Sequence, residues 1–544
     1  MKIFATVHTP VEQGTDNLKL GRLVANLGFF HALLTYGTYD QYQLFLPTVQ
    51  NIKDVKKYLN EYIGDSALLS RITLSHHLNL IDALQSTNFT VFHTTGWYRY
   101  LPGLAFVRSR RAKYPFPITG VIHSLHNLGM VKECRSLMAA PLAPYDSIVC
   151  TSEAGKEVLR RYIELGSAPR DAAQAFPARL DRIPLGVSED LLIPSDKSGA
   201  RKRLGIEPDS VMALFFGRIS PVTKADLAPL VRVISRLSQR HDKLVLVIGG
   251  GATEKQCTWL EQLIIYADCA KHIKFRPNVD DTVRADLLAA ADFFVSPVDN
   301  IQETFGISIV EAMAFGLPVI ASDFNGYREL VDHGVTGFKV PTTWAPLPDL
   351  HYELSPLVED SIAQMLTAQT IALDISSLMD QIEILITNPV LRQTMGNAGR
   401  KKVKETYTWR KIVARYETLW GELKADADSV GLMPCQGHYP GATDLFSVFS
   451  HYVTRTLLPE TIVILGPFFH ANTDGTVSVP QSSEELEPVA HQELVTQLID
   501  QVRLSSTTVA SLVASAKDSL NVDESVTHFH ILRLIKLGFL AVQS

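Results

Sequence analysis

Two glutamates, Glu303 and Glu311, lie eight residues apart in the segment ETFGISIVEAMAFG. The glycine-containing turn after Glu303 and the helix-forming residues that follow predict a loop carrying Glu303 and a helix carrying Glu311 about two turns in. The free N–H groups at a helix start suit a diphosphate. Carboxylates beside it can accept hydrogen bonds from ribose or sugar hydroxyls. The alternative is a pair of solvated charges, which are common on helix faces.

Two cations, Arg218 and Lys224, follow an apolar run in the segment LFFGRISPVTK. A turn at the end of a strand can present both cations to the two phosphates of a leaving nucleoside diphosphate. They would then stabilise the charge that develops as the glycosidic bond breaks. Taken singly, cations on a turn are usually solvated, so their place at the same sheet end as Glu303 is what favours a site.

A histidine, His123, ends the apolar run ITGVIHSLHN, and His126 and His93 are further candidates. A histidine at the end of a strand can face a ligand, and the alternative is a histidine buried in the core. The pair in HSLH has no acidic or cysteine partner nearby, so the sequence predicts no metal site.

The elements that must position these residues come from an alternation of short apolar runs with longer amphipathic ones. This pattern predicts βα units in two doubly wound domains, whose ligands bind outside the carboxyl ends of the strands. The strand candidates of the first half are 2–7, 43–46, 91–93, 119–122, 147–150 and 182–185. Those of the second half are the runs VMALFFG, KLVLVIGGG, IKFRP, DFFVSP, PVIASD and GFKVP.

Composition excludes some classes of protein. The 544 residues carry a net charge of −6, which does not suit a nucleic-acid partner. The start MKIFATVHTP lacks the apolar stretch of a signal peptide, and no apolar run is long enough to span a bilayer. We therefore expect a cytoplasmic protein. Two alternatives stay open for the basic cluster of Arg108, Arg110, Arg111 and Lys113: a peripheral contact with anionic lipid, and a solvated basic face.

Several motifs together resemble the family 4 retaining glycosyltransferases, also known as group 1. They are GRISPVTK, ETFGISIVEAMAFGLPVIASDFNGYRELV, GVTGFKVP, DSIVCTSEAGKEVL, RIPLGV, TNPVLRQTMGNAGRKKV and YTWRKI, and they span about residues 1–425. The resemblance implies an α/β protein of the GT-B fold, in which two Rossmann-like domains face each other across a cleft.

The same resemblance implies roles for individual residues. Arg218 and Lys224, with Gly306 and Ile307, would bind the donor diphosphate. Glu303 and Phe305 would contact the donor sugar, and Glu311 its ribose. His123 would lie near the reacting sugar, so that His123 and Glu303 form the catalytic pair. One departure concerns the first strand-to-helix loop, where the family's Gly-Gly pair is replaced by the separate Gly14 and Gly21.

The expected domains are an acceptor-side domain at 1–205, a donor domain at 206–405, a crossover helix and linker at 406–430, and an acidic accessory domain at 431–544. From Thr443 onward the chain holds eleven acidic and five basic residues. Its segment 505–544 predicts two helices and a final strand, an order that resembles a small winged-helix unit. Packing, dimerisation into a homo-oligomer, and recognition of a protein or peptide acceptor all stay open for this domain.

The prediction is therefore a metal-independent retaining glycosyltransferase that needs no cofactor and uses a nucleotide sugar, with a UDP-sugar favoured. Its acceptor is unidentified, and a protein, a peptide or a lipid would each fit. The alternatives are a scaffold protein that kept the fold but only binds, and an enzyme of sugar-nucleotide epimerisation or phosphorolysis, which the motif set disfavours.

Overall fold

The computed structural model describes residues 1–11, 21–167, 176–345, 353–435, 439–469, 479 and 483–543, and Gly14 lies outside them. The chain divides into two units. The first comprises residues 1–44, 54–74 and 84–441, and the second comprises residues 45–53, 75–83 and 442–544. The domain boundaries expected from the sequence stay predictions.

The first sheet has seven strands in the order β3-β2-β1-β4-β5-β6-β7. The runs of β4, β5 and β6 are buried at every position, as parallel strands covered on both faces must be. Its strands are β1 Ile3–Thr6, β2 Gln41–Leu46, β3 Ile72–His76, β4 Val91–Thr94, β5 Ile118–Val121, β6 Ser147–Cys150 and β7 Arg179–Arg182. Its helices are α1 Gly21–Tyr36, α2 Val49–Tyr62, α3 Ser66–Leu69, α4 Leu80–Ser86, α5 Leu101–Arg111, α6 Met130–Ala139 and α7 Glu153–Gly166.

The strand predictions for this sheet were wrong at two places. The last strand lies at Arg179–Arg182, three residues before the expected 182–185, and the strand Ile72–His76 was not predicted. Both strands lie at the edges of the sheet, where partly exposed positions replace the apolar run that marks a central strand.

The second sheet has six strands in the order β10-β9-β8-β11-β12-β13. They are β8 Val211–Phe216, β9 Leu244–Gly250, β10 Ile273–Pro277, β11 Phe293–Ser296, β12 Val319–Ser322 and β13 Gly337–Val340. The helices around it are α8 Lys197–Leu204, α9 Ala228–Ser238, α10 Glu254–Tyr266, α11 Asp281–Ala290, α12 Ile307–Ala314 and α13 Tyr327–Leu330. Strands β8 and β11 are neighbours with parallel pairing, so the loops after them emerge at the same edge.

The chain then continues through a short antiparallel pair and four helices. These are β14 Thr342–Thr343, α14 Asp360–Ala368, β15 Ala372–Leu373, α15 Ile375–Thr387, α16 Pro389–Thr406 and α17 Trp409–Val430. Helix α17 packs an aromatic stripe against the first sheet. Trp420 donates its indole N–H to the Thr119 hydroxyl at 3.0 Å, and the Tyr416 ring lies 4.8 Å from that of Phe29.

The basic cluster at the end of α5 is not uniformly solvated. Arg108 is buried and forms a bidentate ion pair with Asp146, at 2.6 and 2.7 Å. Asp146 also accepts the backbone N–H groups of Ile118 and Ala143, so the pair ties α5 to the sheet. Arg108 is therefore a structural residue, and a basic face formed by all four residues of the cluster, whether solvated or lipid-binding, was a wrong expectation.

The second unit holds α18 Leu445–Phe449, β16 Ile462–Leu465, α19 Gln492–Leu504, β17 Thr507–Thr508, α20 Val509–Leu520, α21 Glu524–Lys536 and β18 Leu540–Val542. Its strands pair antiparallel in the order β17-β16-β18 around a small apolar core. Within this unit the Glu485 carboxylate accepts the N–H of Val49, at 3.0 Å, and lies 3.2 Å from His76 Nε2.

Candidate active site

The loop after β8 carries both predicted cations. Arg218 donates to the side-chain and backbone oxygens of Thr223, at 3.2 and 3.3 Å. Lys224 lies in the turn that follows, where its backbone N–H bonds to the carbonyl of Ser220 at 3.0 Å. Thr223 thus holds the guanidinium of Arg218 against the turn from which Lys224 extends.

Lys224 and Glu303 form a buried ion pair, because β8 and β11 are adjacent and their loops meet. Their side chains are 12% and 19% exposed. The ammonium of Lys224 also donates to the hydroxyl of Tyr327 at 3.4 Å, and that hydroxyl lies 3.0 Å from the Ser296 hydroxyl. The structure therefore brings together two residues that the sequence separates by 79 positions.

The two charges of this pair support each other. Burial lowers the pKa of Lys224, but the attraction of Glu303, with smaller contributions from Tyr327, outweighs burial and raises it above its ordinary value. Burial raises the pKa of Glu303, but Lys224, the N–H of Phe305 and Arg218 outweigh burial and lower it. Both groups are therefore charged at neutral pH. The carboxylate of Glu303, which pairs with Lys224, could also accept hydrogen bonds from the hydroxyls of a donor sugar.

Gly306 starts α12 in a conformation that L side chains rarely adopt, with φ of 107°. A Cβ at this position would lie 2.2 Å from the ring of Tyr327. The N–H of Phe305 donates to Glu303 at 3.3 Å, and the N–H of Ile309 to the carbonyl of Gly306 at 3.0 Å. Glycine therefore lets the chain turn sharply between the carboxylate of Glu303 and the start of the helix.

The start of α12 offers backbone N–H groups without a side-chain cap. Among the described residues, the buried hydroxyl of Ser308 in its first turn has no hydrogen-bond partner. Phe305 is buried in the core. Gly306 and Ile307 thus place a helix N-terminus beside Lys224 and Glu303, an arrangement that suits an anion.

Glu311 is the fifth residue of α12, just past its first turn and not two turns in as the sequence suggested. The reason is that the left-handed Gly306 delays the helix start to Ile307. Glu311 is buried and forms an ion pair with Arg284 of α11, whose guanidinium lies 5.6 Å from the centre of the Phe216 ring. Glu311 is therefore held by a partner on a neighbouring helix.

His123 lies two residues after β5, beyond the carboxyl end of that strand. The Thr304 hydroxyl donates to the His123 carbonyl at 2.5 Å, and the Ser152 hydroxyl donates to the Thr304 carbonyl at 2.6 Å. Within the described residues, the buried Nε2 of His123 has no partner. Burial, with repulsion from Arg22, lowers the pKa of His123 to about 3, so its imidazole is neutral.

The other candidate histidines differ. His93 is buried, bonds to Thr119 at 2.9 Å and packs among the rings of Phe29, Tyr416 and Trp420, so it is a core residue. Burial lowers the pKa of His126, as does the charge of Arg218, while Asp360 raises it. Its Nδ1 is buried without a partner among the described residues.

Sequence reasoning missed Tyr327, Arg284 and Thr304. Tyr327 lies in the quoted segment FNGYREL, but only its approach to Gly306 and Lys224 shows why a ring is placed there. Arg284 is an ordinary helix residue by its pattern. No signal in the sequence could have linked it to Glu311.

Within the described ranges, no group of three or more histidine, cysteine, aspartate or glutamate residues could hold a metal ion. In the same ranges, no helix combines the length and the apolar character that crossing a bilayer requires.

Comparisons with known proteins fit this geometry. The model of the family "Glycosyl transferases group 1" matches residues 196–347. A D-inositol 3-phosphate glycosyltransferase of Catenulispora acidiphila is 30% identical over 258 residues, which are 44% of this chain and 60% of that protein. One from Geodermatophilus obscurus is 32% identical over 228 residues, 40% of this chain and 50% of that protein. The chain thus spans between half and two thirds of the length of these relatives.

Solved structures match most of the chain. Sucrose-phosphate synthase from Thermosynechococcus elongatus has a TM-score of 0.51 at 18% identity, covering 78% of this chain and 100% of its own. A glycosyltransferase from Rickettsia africae has a TM-score of 0.54 at 14% identity, covering 78% and 98%. Anabaena HepE in complex with UDP has a TM-score of 0.52 at 17% identity, covering 77% and 99%.

These structural neighbours are glycosyltransferases of the GT-B fold, which confirms the predicted fold class. The family match lies on the second sheet and includes Arg218, Lys224, Glu303 and Glu311. The family match therefore identifies residues 196–347 as a domain of the group 1 glycosyltransferases, and the whole chain resembles such enzymes in its fold.

Proposed function

We propose that the protein transfers a sugar from a nucleoside-diphosphate sugar, with a UDP-sugar favoured, to an acceptor bound on the side of the first sheet. The observation that carries this proposal is the buried pair of Lys224 and Glu303, set beside the uncapped start of α12. Cation, carboxylate and helix N-terminus are the groups that a diphosphate and the hydroxyls of its sugar require.

In this arrangement Lys224 and Arg218 bind the diphosphate oxygens and stabilise the charge that grows on them as the glycosidic bond breaks. The carboxylate of Glu303 accepts hydrogen bonds from sugar hydroxyls, and that of Glu311, oriented by Arg284, from the ribose. His123 is neutral, and its free Nε2 can form a hydrogen bond with the sugar from the opposite side of the cleft.

Retention of anomeric configuration and independence from metal are part of this proposal. Two fixed cations and a helix N-terminus can take the charge-stabilising role that a divalent cation has in other enzymes. Both properties are tested by the anomeric configuration of the product and by activity in EDTA with and without added manganese. An inverted product, or activity that EDTA abolishes and manganese restores, would contradict them.

The first experiment is nucleoside-diphosphate release from a panel of nucleotide sugars, with Lys243→Ala as a control for Lys224→Ala. Lys243 pairs with Asp209 on the exposed surface of the same domain. We expect release by the wild type and by the control, and a loss of about 10²–10³ in rate for Lys224→Ala. A protein that binds nucleotide sugars but never turns them over would instead be the scaffold that the sequence left open.

The acceptor, the cytoplasmic location and a homo-oligomer through the second unit stay predictions. The names of the relatives make D-inositol 3-phosphate the first acceptor to test, beside protein, peptide and lipid acceptors. Cell fractionation tests the location, and light scattering of the full chain tests the oligomeric state.

A further inference from the structure

The loop between β8 and α9, residues 217–227, carries both cations and has few hydrogen bonds within itself. The N–H groups of Lys224 and Ala225 both donate to the carbonyl of Ser220, at 3.0 and 3.1 Å, and the N–H of Thr223 donates to the Ser220 hydroxyl at 3.1 Å. These bonds shape a turn. They do not fix where that turn lies relative to Glu303.

Two buried side chains of the loop after β11 attach the turn to the site. Asn300 donates its amide to the carbonyl of Val222 at 2.6 Å. Asp299 accepts the N–H of Asp226 with both carboxylate oxygens, at 3.2 and 3.4 Å. The attachments thus lie two residues before and two residues after Lys224, and they come from the same loop that carries Glu303.

The Asp299 attachment is costly for the fold. Asp299 is 3% exposed, and burial, together with repulsion from the carboxylate of Asp226, raises its pKa to about 7 although the backbone N–H of Asp226 opposes this. Asp226 is itself held, since it accepts the N–H of Ala228 at 2.9 Å and the amide of Gln369 at 3.2 Å. A buried carboxylate beside a second one destabilises a protein, so packing alone does not account for it.

We propose that Asp299 and Asn300 are positioning residues, which hold the Val222–Asp226 turn so that Lys224 meets Glu303 and the donor diphosphate in one geometry. This inference rests on the proposed function for its kinetic part, but not for its structural part. Without Asp299 the ion pair of Lys224 can still form. It would then form in a range of loop positions, and displacement of a catalytic group by about 1 Å can cost about 10²-fold in rate.

The test uses the full-length protein and three variants. Asp299→Ala removes the acceptor, Asp299→Asn keeps an acceptor oxygen without an ionisable group, and Asp209→Asn is a control at an exposed aspartate of the same domain. Hydrogen exchange without ligand is measured for peptides covering residues 218–228, and nucleoside-diphosphate release from the best donor is measured in parallel.

We expect Asp299→Ala to speed exchange in this segment by about tenfold and to lower kcat by about 10²-fold with donor KM changed less than about threefold. Asp299→Asn should have an exchange rate and a kcat much closer to those of the wild type, and the control Asp209→Asn should match the wild type in both quantities. Asp226 is the titratable group that faces Asp299, with Lys224, Glu303 and Arg218 on the adjoining loops. Protection of the segment should therefore change near pH 7 in the wild type and stay flat in Asp299→Asn.

Unchanged exchange and unchanged kcat in Asp299→Ala would overturn the proposal. If that variant does not fold, Asp299→Asn decides: a pH dependence of protection that the wild type shows and Asp299→Asn lacks supports the role of Asp299, and identical profiles in the two proteins refute it. A wild type that releases no nucleoside diphosphate from any donor would refute the proposed function, while the exchange data would still decide whether Asp299 holds the turn.

Discussion

Removing the charge of Lys224 should expose how strongly the site depends on its buried ion pair. In Lys224→Met the side chain keeps most of its volume, but Glu303, whose side chain is 19% exposed in the wild type, loses its partner. Breaking a buried pair from one side costs about 3–5 kcal/mol, and the remaining exposure favours the lower end, about 3 kcal/mol. Glu303→Gln should cost a similar amount, because it leaves the ammonium of Lys224 buried alone.

The double variant Lys224→Met/Glu303→Gln should be more stable than either single variant, because no uncompensated charge remains. A double-mutant cycle should give a coupling energy of at least about 2 kcal/mol. Urea denaturation followed by circular dichroism measures all four proteins, and Lys243→Met is the matched control. Lys243 forms an exposed pair with Asp209, so its loss should have no measurable effect.

The pH dependence adds a second criterion. The pKa of Glu303 is lowered in the wild type, so its stabilising contribution is present above the unfolded pKa and is lost as pH falls through the folded one. In Lys224→Met burial should raise that pKa, because only the N–H of Phe305 and the charge of Arg218 then oppose it, so the variant should regain stability as pH falls from 8 to about 5. Equal stability of Lys224→Met and Lys243→Met, or a coupling energy near zero, would refute the buried pair.

The remaining predictions concern the helix start, the histidine and the second unit. Gly306→Ala should lower stability by about 1–2 kcal/mol through backbone strain, which thermal unfolding measures. Its Cβ would lie 2.2 Å from the Tyr327 ring, so the substitution should also displace α12 and abolish the release of nucleoside diphosphate from the donor. The imidazole of His123 has a pKa of about 3 in the folded protein, so it takes up a proton on unfolding between pH 6.5 and 3. The wild type should therefore lose stability as pH falls through this range, by about 1.4 kcal/mol for each unit by which the pKa is lowered. His123→Asn should remove this pH dependence, which urea denaturation at several pH values measures. Truncation after Gly441 should leave the rate of nucleoside-diphosphate release from the donor within about threefold of the wild type, and it should weaken transfer to the acceptor or dissolve an oligomer. A truncated protein that folds but releases no nucleoside diphosphate would contradict this.

Much of the fold could be predicted from the sequence, since central strands such as β5 and β11 are short apolar runs between amphipathic helices. The meeting of Lys224 with Glu303 was also predictable. Both residues follow strands of one parallel sheet, and the carboxyl ends of such strands share an edge.

The partners of the site residues could not be predicted. Arg284 meets Glu311 only because α11 packs beside α12, and Thr304 meets His123 only because the two halves of the GT-B fold close on each other. Such contacts depend on how separate elements pack, which local patterns do not encode. The burial of Arg108 is a similar case, because its partner Asp146 lies 38 residues away.

Binding of UDP and the other nucleoside diphosphates, measured by calorimetry on the wild type, Lys224→Ala and Lys243→Ala, tests whether Lys224 binds the diphosphate of the donor. We expect the wild type and Lys243→Ala to bind at least one nucleoside diphosphate with the same affinity. We expect Lys224→Ala to bind it more weakly by about 1.5–3 kcal/mol, the range for a hydrogen bond to a charged group. No binding of any nucleoside diphosphate to the wild type, or equal affinity in Lys224→Ala, would contradict these expectations.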